Sequence, residues 1–337
     1  MTRSIREVDP AGPEWASFVA GADHLVFHEP EWAKVMGRGI SDETCAFIID
    51  EDGTPTCGSL GVVVKAPLVR LGYFSYPYGG LIGNPPPAND LARLLKELGK
   101  RKRFAQIQLV GYPHEPAHDL SGFAEAADQT NILNIEGLTP ESLLASYKRV
   151  RRQEINRAFK RGVKVEVRND DESMGLLYSY YLDTMSRTGG IARYKPELIR
   201  SIVEELKPTN RVRLSVAHVE GQPIGAMLVV DSESISHGLV LVSSQEGRKY
   251  EANKVLLHTA VEDAVRAGKL GFDFMPSGQS AKGVSQFKSM WHTDEVPLVH
   301  RTLVVQPVRA LMWRTMLGAA KRWPMRNLIA LKRSRSR

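Results

Sequence analysis

Apolar and polar positions follow two rhythms along this chain, one of period near 3.6 and one of short extended runs. Residues 254–267 place Leu257, Ala260, Val261, Ala264 and Val265 at helical spacing, with Gly268 where a C-terminal cap belongs. Residues 140–161 read as one helix stopped by Gly162, and further helices are expected over 170–186 and 196–206, the last ended by Pro208. Apolar runs predict strands at 163–167, 212–219, 224–230, 235–242, 270–274 and 296–305, with a short helix at 284–291. A polar loop, 243–253, leads into the 254–267 helix. In the first half, strands are expected at 44–50, 57–65 and 104–109 and a helix at 88–103. Residues 73–80 form an irregular stretch rich in aromatics.

Two of these segments repeat one another. Phe47-Ile48-Ile49 leads into an acidic turn ending at Gly53, then Pro55, Gly58 and Val62-Val63-Val64. Val216-Ala217-His218-Val219 leads into Glu220-Gly221, then Pro223, Gly225 and Leu228-Val229-Val230. This is hairpin chemistry, in which Gly supplies positive φ at the turn and Pro opens the return strand. The recurrence at half-length points to an internal duplication, against chance similarity of turn sequences. The element order mixes hairpins with one βαβ crossover after Val242, so the fold class is α/β (α+β) with mostly antiparallel sheet rather than a doubly wound nucleotide fold. Neither GxGxxG nor GxxxxGK[ST] is present.

Composition narrows the picture. The 337 residues suffice for two domains, and 42% apolar with 25% charged residues is ordinary globular usage. Cys45 and Cys57 are the only cysteines and have no CxxC or His company, so no metal site and no disulfide scaffold are implied. Residues 1–15 lack the apolar core of a secretory signal, and no apolar run of spanning length occurs, which suits a cytoplasmic protein. The net charge of +7 is localised. Residues 309–337 hold nine Lys or Arg and no acid, and removing those nine from +7 leaves −2 for the rest. A helix over 308–323 would put Val308, Met312, Met316, Ala319 and Trp323 on one face, with Arg314, Lys321 and Arg322 opposite. Followed by the basic end at 332–337, this reads either as a peripheral contact with an anionic membrane or as a helix docked on the protein body.

Four stretches in order resemble a known family. They are Phe27-His28-Glu29-Pro30-Glu31-Trp32-Ala33-Lys34, then Tyr76-Pro77-Tyr78-Gly79-Gly80, then the basic helix around Arg149, Arg151, Arg152, Ile155, Arg157, Ala158, Lys160, Arg161 and Gly162, and finally Gly271-Phe272-Asp273-Phe274 followed by Phe287-Lys288. Over about residues 25–305 the chain is similar to the FemAB-like branch of the GNAT superfamily, tandem-domain enzymes that attach amino acids to amines of cell-wall precursors. Met275 and His292 stand where that pattern often has Gly, and the loop at 244–253 does not carry the (R/Q)xxGx(G/A) loop that binds coenzyme A in ordinary GNATs. The resemblance implies a GNAT-like domain over 1–139, a second over 140–307 and a basic amphipathic tail over 308–337. It implies transfer of an acyl or aminoacyl group to an amine of an envelope precursor or a membrane lipid. No tightly bound cofactor is expected; acyl-CoA, acyl carrier protein or aminoacyl-tRNA would serve as co-substrate. The alternative is a non-catalytic scaffold of envelope or exopolysaccharide assembly.

The resemblance gives Lys288 the task of stabilising the oxyanion, with Phe287 packing beside it; a solvated helix lysine is the competing reading. Asp273, on a strand with Phe272 and Phe274, either positions Lys288, acts as a base or sits in a structural ion pair. His292 has the titration range of a general base but also suits an ordinary surface histidine. Arg187, Arg193 and Tyr194, with Lys34 from the first half, suit the phosphates of an acceptor or are ordinary loop cations, and Tyr76 and Tyr78 suit its cleft or are half-buried strand tyrosines. Arg152, Gln245, Arg248 and Asn253 are candidate contacts to the donor. The basic helix at 149–161 reads as a charged solvent face or as a face for RNA or a phosphate-rich donor, and aromatic residues for base stacking are sparse around it.

Overall fold

The computed structural model describes residues 1–66, 68–112, 122–190, 192–276 and 282–322. The first half runs β1 (Arg3–Val8), α1 (Pro13–Ala20), α2 (Pro30–Gly39), β2 (Thr44–Glu51), β3 (Thr54–Ala66) and β4 (Val69–Phe74). It continues through β5 (Ile82–Gly83), α3 (Ala88–Arg101), β6 (Gln106–Val110) and β7 (Ala124–Asn134). The second half runs α4 (Pro140–Ser146), α5 (Arg149–Lys160), β8 (Lys164–Val167), α6 (Asp171–Thr188), α7 (Pro196–Leu206), β9 (Val212–Val219), β10 (Gln222–Asp231) and β11 (Ile235–Ser243). Then follow α8 (Gln245–Lys249), α9 (Ala252–Arg266), β12 (Gly271–Asp273), α10 (Lys282–Ser289), β13 (Asp294–Val304) and α11 (Pro307–Arg322).

The two predicted hairpins match in detail. Asp52-Gly53 and Glu220-Gly221 both hold positive φ at the two central positions, the geometry of a type I′ turn. In each, the residue after the Pro is skipped in the pairing. Pro55 faces Asp50 and Cys57 faces Ile49, just as Pro223 faces His218 and Gly225 faces Ala217. The likeness extends to the sheet. Strands β1-β2-β3-β4-β6 pair in that order, with β4 and β6 parallel, and β8-β9-β10-β11-β12 repeat it with β11 and β12 parallel.

The halves share one mixed sheet, because each gives its last strand away. β7 pairs with β12 of the second half, while β13 inserts between β6 and β7. One face of the sheet carries α2, α6 and α7 over an apolar cluster that spans both halves, including Phe27, Trp32 and Tyr78 with Leu198, Leu214 and Leu228. On the opposite face α3 covers Phe47, Leu91 and Phe104 in the first half, and α5 and α9 cover Ile155, Val255 and Phe272 in the second.

The structure corrects two expected elements. The helix read over 140–161 is broken: Tyr147 and Lys148 are extended, because Tyr147 turns inward to pack edge-on against His258 and Trp291. The loop read over 243–253 contains α8, capped by Ser244, whose hydroxyl accepts from the Gly247 N–H. In the tail, Ala310 is buried and Trp313 packs on Val69, Leu71 and Ala105, while Val308, Leu311 and Met312 are exposed. The side chains beyond Met316, including Ala319, Lys321, Arg322 and Trp323, and the 332–337 run lie outside what the structure describes.

Candidate active site

The site begins with two strands that part. β11 and β12 pair only over Ile235–His237 and Gly271–Asp273. β12 then ends, whereas β11 continues to Ser243, and among the described residues no strand pairs with its 238–243 segment on that side. Gly238, Leu239, Val240 and Leu241 therefore border a cavity of about 530 Å³. A strand edge left open in this way offers backbone groups to an extended ligand arm. From one side α9 supplies Asn253 and Leu257, and α10 supplies Phe287 and Lys288. From the other come Trp32, Tyr76, Arg187 and Tyr194. Trp32 also braces this second wall, its indole N–H donating to the Tyr76 carbonyl at 2.8 Å.

Lys288 is 4% exposed, and its ammonium donates to the Met275 carbonyl. Burial lowers its pKa to about 8, against the raising influence of Asp273 and then Asp128. A lysine so placed borders the cavity as a cation near the point of losing its proton. The helix beneath it is clamped. The Arg151 guanidinium lies 5.2 Å from the centre of the Phe287 ring and 4.8 Å from that of Trp291, and it donates to Glu154 at 2.8 Å. Arg151, read as part of a basic solvent face, is thus buried and holds α10 in place.

Below the cavity a sealed polar network joins the two halves. Asp273 is fully buried and accepts from the Tyr78 hydroxyl, from Thr130 Oγ1 at 2.5 Å and from the Met275 N–H at 2.8 Å. Because Tyr78 spends its only proton on Asp273, it must accept from His237 Nδ1, 2.8 Å away. His237 Nε2 is then an acceptor for Ser232 Oγ at 2.8 Å, and Ser232 Oγ in turn accepts from the Val26 N–H at 3.0 Å. Ser232, His237 and Asp273 have the composition of a nucleophilic triad, but each is at most 1% exposed and none lines the cavity, so no substrate reaches the serine. Three donors thus hold the Asp273 carboxylate in place, and its influence on Lys288 is electrostatic.

The cavity brings together six of the residues singled out from the sequence: Tyr76, Arg187, Tyr194, Asn253, Phe287 and Lys288. The Asn253 carboxamide oxygen is buried there with no hydrogen-bond partner among the described residues. Other candidates lie elsewhere. Lys34 is exposed on α2, and His292 is exposed in the turn after α10, with φ of 57°. Arg193 is exposed and engages Tyr181 only through its backbone N–H. Arg152 donates to the Ala145 and Tyr147 carbonyls at 2.8 Å, closing the broken end of α4. Gln245 is exposed on α8, and Arg248 reaches back to the Ser243 carbonyl at 3.4 Å. Sequence reasoning missed Asp128, which lines the cavity and faces His300 at 3.3 Å. It also missed the Tyr78–His237 link, whose partners are 159 residues apart.

Comparison with known proteins meets this geometry at the parted strands. Residues 145–289, which contain β11, β12, α9 and α10, match the family described as acetyltransferase (GNAT) domain. That segment is a GNAT domain. The fold of the chain resembles the crystal structure of FemX, with a TM-score of 0.72, 17% identity, 91% of this chain covered and 99% of that one. It also resembles a tandem GNAT protein from the clavulanic acid biosynthesis pathway (TM-score 0.56, 11% identity, 89% and 98% covered). A third similar structure is the C-terminal domain of a putative lysylphosphatidylglycerol synthetase from Agrobacterium fabrum (TM-score 0.53, 13% identity, 78% and 85% covered). The chain accordingly carries a GNAT domain over residues 145–289, and its fold as a whole is that of FemX and of a tandem GNAT protein. Among the described residues, no helix is long and apolar enough to cross a membrane.

Proposed function

We propose that this GNAT protein transfers an acyl or aminoacyl group from an activated thioester or ester to an amine of a cell-envelope precursor or membrane lipid, working at the inner face of the membrane. The observation that carries the reading is a single cavity with two walls. The open edge of β11 beside Phe287 and Lys288 suits the donor, and the Trp32, Tyr76, Arg187 and Tyr194 wall suits the acceptor. Attack of the amine on the carbonyl builds an oxyanion, and the Lys288 ammonium stabilises it. Asp128, beside His300, is the acid best placed to take the proton released by the attacking amine. The donor is an acyl-CoA, an acyl carrier protein or an aminoacyl-tRNA. The entrance to α9 favours a donor other than simple acetyl-CoA. Glu251 caps it in a left-handed conformation and pairs with Lys254, so an acid stands where a pyrophosphate would need bare backbone N–H groups. The lipid acceptor is supported by the exposed Val308, Leu311 and Met312 beside a run of cations.

The test is mass spectrometry of envelope glycans, precursors and amine lipids from a deletion strain, the strain complemented with wild type, and the strain complemented with Lys288→Ala that folds and accumulates normally. A missing acyl or aminoacyl mass, restored by wild type and not by Lys288→Ala, is the expected result. Full rescue by Lys288→Ala would move the weight to a scaffold.

A further inference from the structure

One helix beside the transfer cavity concentrates positive charge that the rest of the body lacks. Residues 148–161, which hold α5, carry seven Lys or Arg and one acid, Glu154; taking that net +6 from the −2 of residues 1–308 leaves −8 for all the rest of the body. We propose that, given the transferase reading on which this rests, the exposed face of α5 docks an acidic carrier protein that delivers the acyl group as a thioester on a flexible arm. The amide C–N bond forms as the thioester C–S bond breaks, and the arm leaves as a thiol that keeps the proton released by the amine.

The inner face fixes where the helix lies. Near its start Lys148 donates to the carbonyl of Ser289, the residue after Lys288, at 3.3 Å, and Arg151 stacks on Phe287 and Trp291. In its middle Glu154 pairs with Lys254 of α9 at 2.9 Å. At its end the Arg161 guanidinium lies 4.3 Å from the centre of the Tyr250 ring and donates to the Lys249 carbonyl at 2.8 Å. The helix thus touches α10 beside Lys288 and the turn before Asn253, and both of those residues line the cavity.

The outer face supplies the charge. Arg149, Gln153, Arg157 and Lys160 recur at helical spacing, and all four are exposed. Arg149, Arg157 and Lys160 have no ion pair among the described residues, because Glu154 is turned inward to Arg151 and Lys254. The strip spans about 16 Å, the length of three turns of an acidic helix laid against it. Val150, 53% exposed beside Arg149, adds an apolar contact.

The surroundings favour a protein over a nucleotide. The strip itself holds no aromatic residue. Phe159 lies off it, edge-on to His258 with centroids 6.1 Å apart, and Tyr250 lies under Arg161, so no free ring is set among the cations for base stacking. A free CoA would bring its phosphates to the start of α9, where Glu251 stands. A carrier keeps its charge on a folded body outside the cavity and threads only its arm along the open edge of β11. That division matches the cations outside and the apolar Leu241, Leu257, Phe272 and Phe274 within.

Full-length protein is titrated with purified bacterial acyl carrier protein, apo and holo, by calorimetry and by anisotropy of a labelled carrier, with bulk tRNA and CoA as competitors. Saturable binding of the holo carrier that weakens steeply with salt is expected. Arg149→Glu with Arg157→Glu should weaken it at least about tenfold, and Lys160→Glu alone at least about threefold. Thermal melts check that these variants, all at exposed positions, are folded. Reversing acids to Lys on the helix beside the carrier's arm should restore binding to the Arg149→Glu/Arg157→Glu protein. The proposal is overturned if the carrier binds no more tightly than about 1 mM, or if folded reversal variants bind it as wild type does. It is also overturned if tRNA displaces the carrier and itself loses affinity in the same variants, which would make the strip an RNA face. No turnover is read, so the two readings fail separately. A carrier that binds in a strain showing no transferred mass would sink the transferase reading, and a transferred mass without carrier binding would sink this one.

Discussion

Under the proposed mechanism, Lys288 carries two opposed requirements. Oxyanion stabilisation needs its proton, and burial lowers its pKa to about 8. The protonated, active form is therefore lost as pH rises through about 8. Turnover should fall on that alkaline limb, and Lys288→Arg, which keeps its charge, should remove the limb from pH–rate profiles of kcat/KM. Lys288→Ala should lower kcat by about 10²–10³. Asp128→Asn should cost about tenfold or more in kcat, whereas His292→Ala, at an exposed turn, should leave kcat unchanged. Phe287 and Lys288 were legible in the sequence because they sit in a short, recurring pattern next to a patterned strand. Asp128 was not, since its neighbours in Ala124–Asn134 show no apolar rhythm. His237 lies inside an apolar run, where nothing local says that Tyr78 and Ser232 will meet it.

Among the elements, the two hairpins were the most legible, because the turn chemistry is local: Gly at positive φ, then Pro, with the bulge following. A side chain at Gly53 or Gly221 would meet no atom within 4 Å, so only the backbone conformation opposes it. Gly53→Ala and Gly221→Ala should each destabilise by about 1 kcal/mol in chemical denaturation, without loss of the fold. Elements whose cause is distant were missed. β7 is polar and Ala-rich, and it becomes a strand because β12 and β13 flank it. The break between α4 and α5 follows from Tyr147 turning toward Trp291, a partner 144 positions away. The clamp of Arg151 on Phe287 and Trp291 was likewise hidden in what reads as a charged surface helix.

At the scale of the whole molecule, the charge distribution makes its own prediction. The body is near neutrality and the cations gather from Arg309 onward, next to exposed Val308, Leu311 and Met312. The protein should co-sediment with vesicles rich in phosphatidylglycerol but not with neutral ones. Salt should release it, and deletion of residues 308–337 should abolish the binding, with about 1 kcal/mol lost per cation removed. Wild-type protein that ignores anionic vesicles would leave α11 as a helix docked on β4 through Trp313. The pairing of β13 between β6 and β7 also sets an order of events during synthesis on the ribosome. The middle of the sheet waits for the last strand of the chain: until residues 294–304 emerge, β6 and β7 each lack a neighbour, although both were made more than 150 residues earlier. From residue 134 to residue 294 the nascent chain thus carries two open strand edges that only β13 can close, and a ribosome stalled in between would release a chain disposed to stick to others.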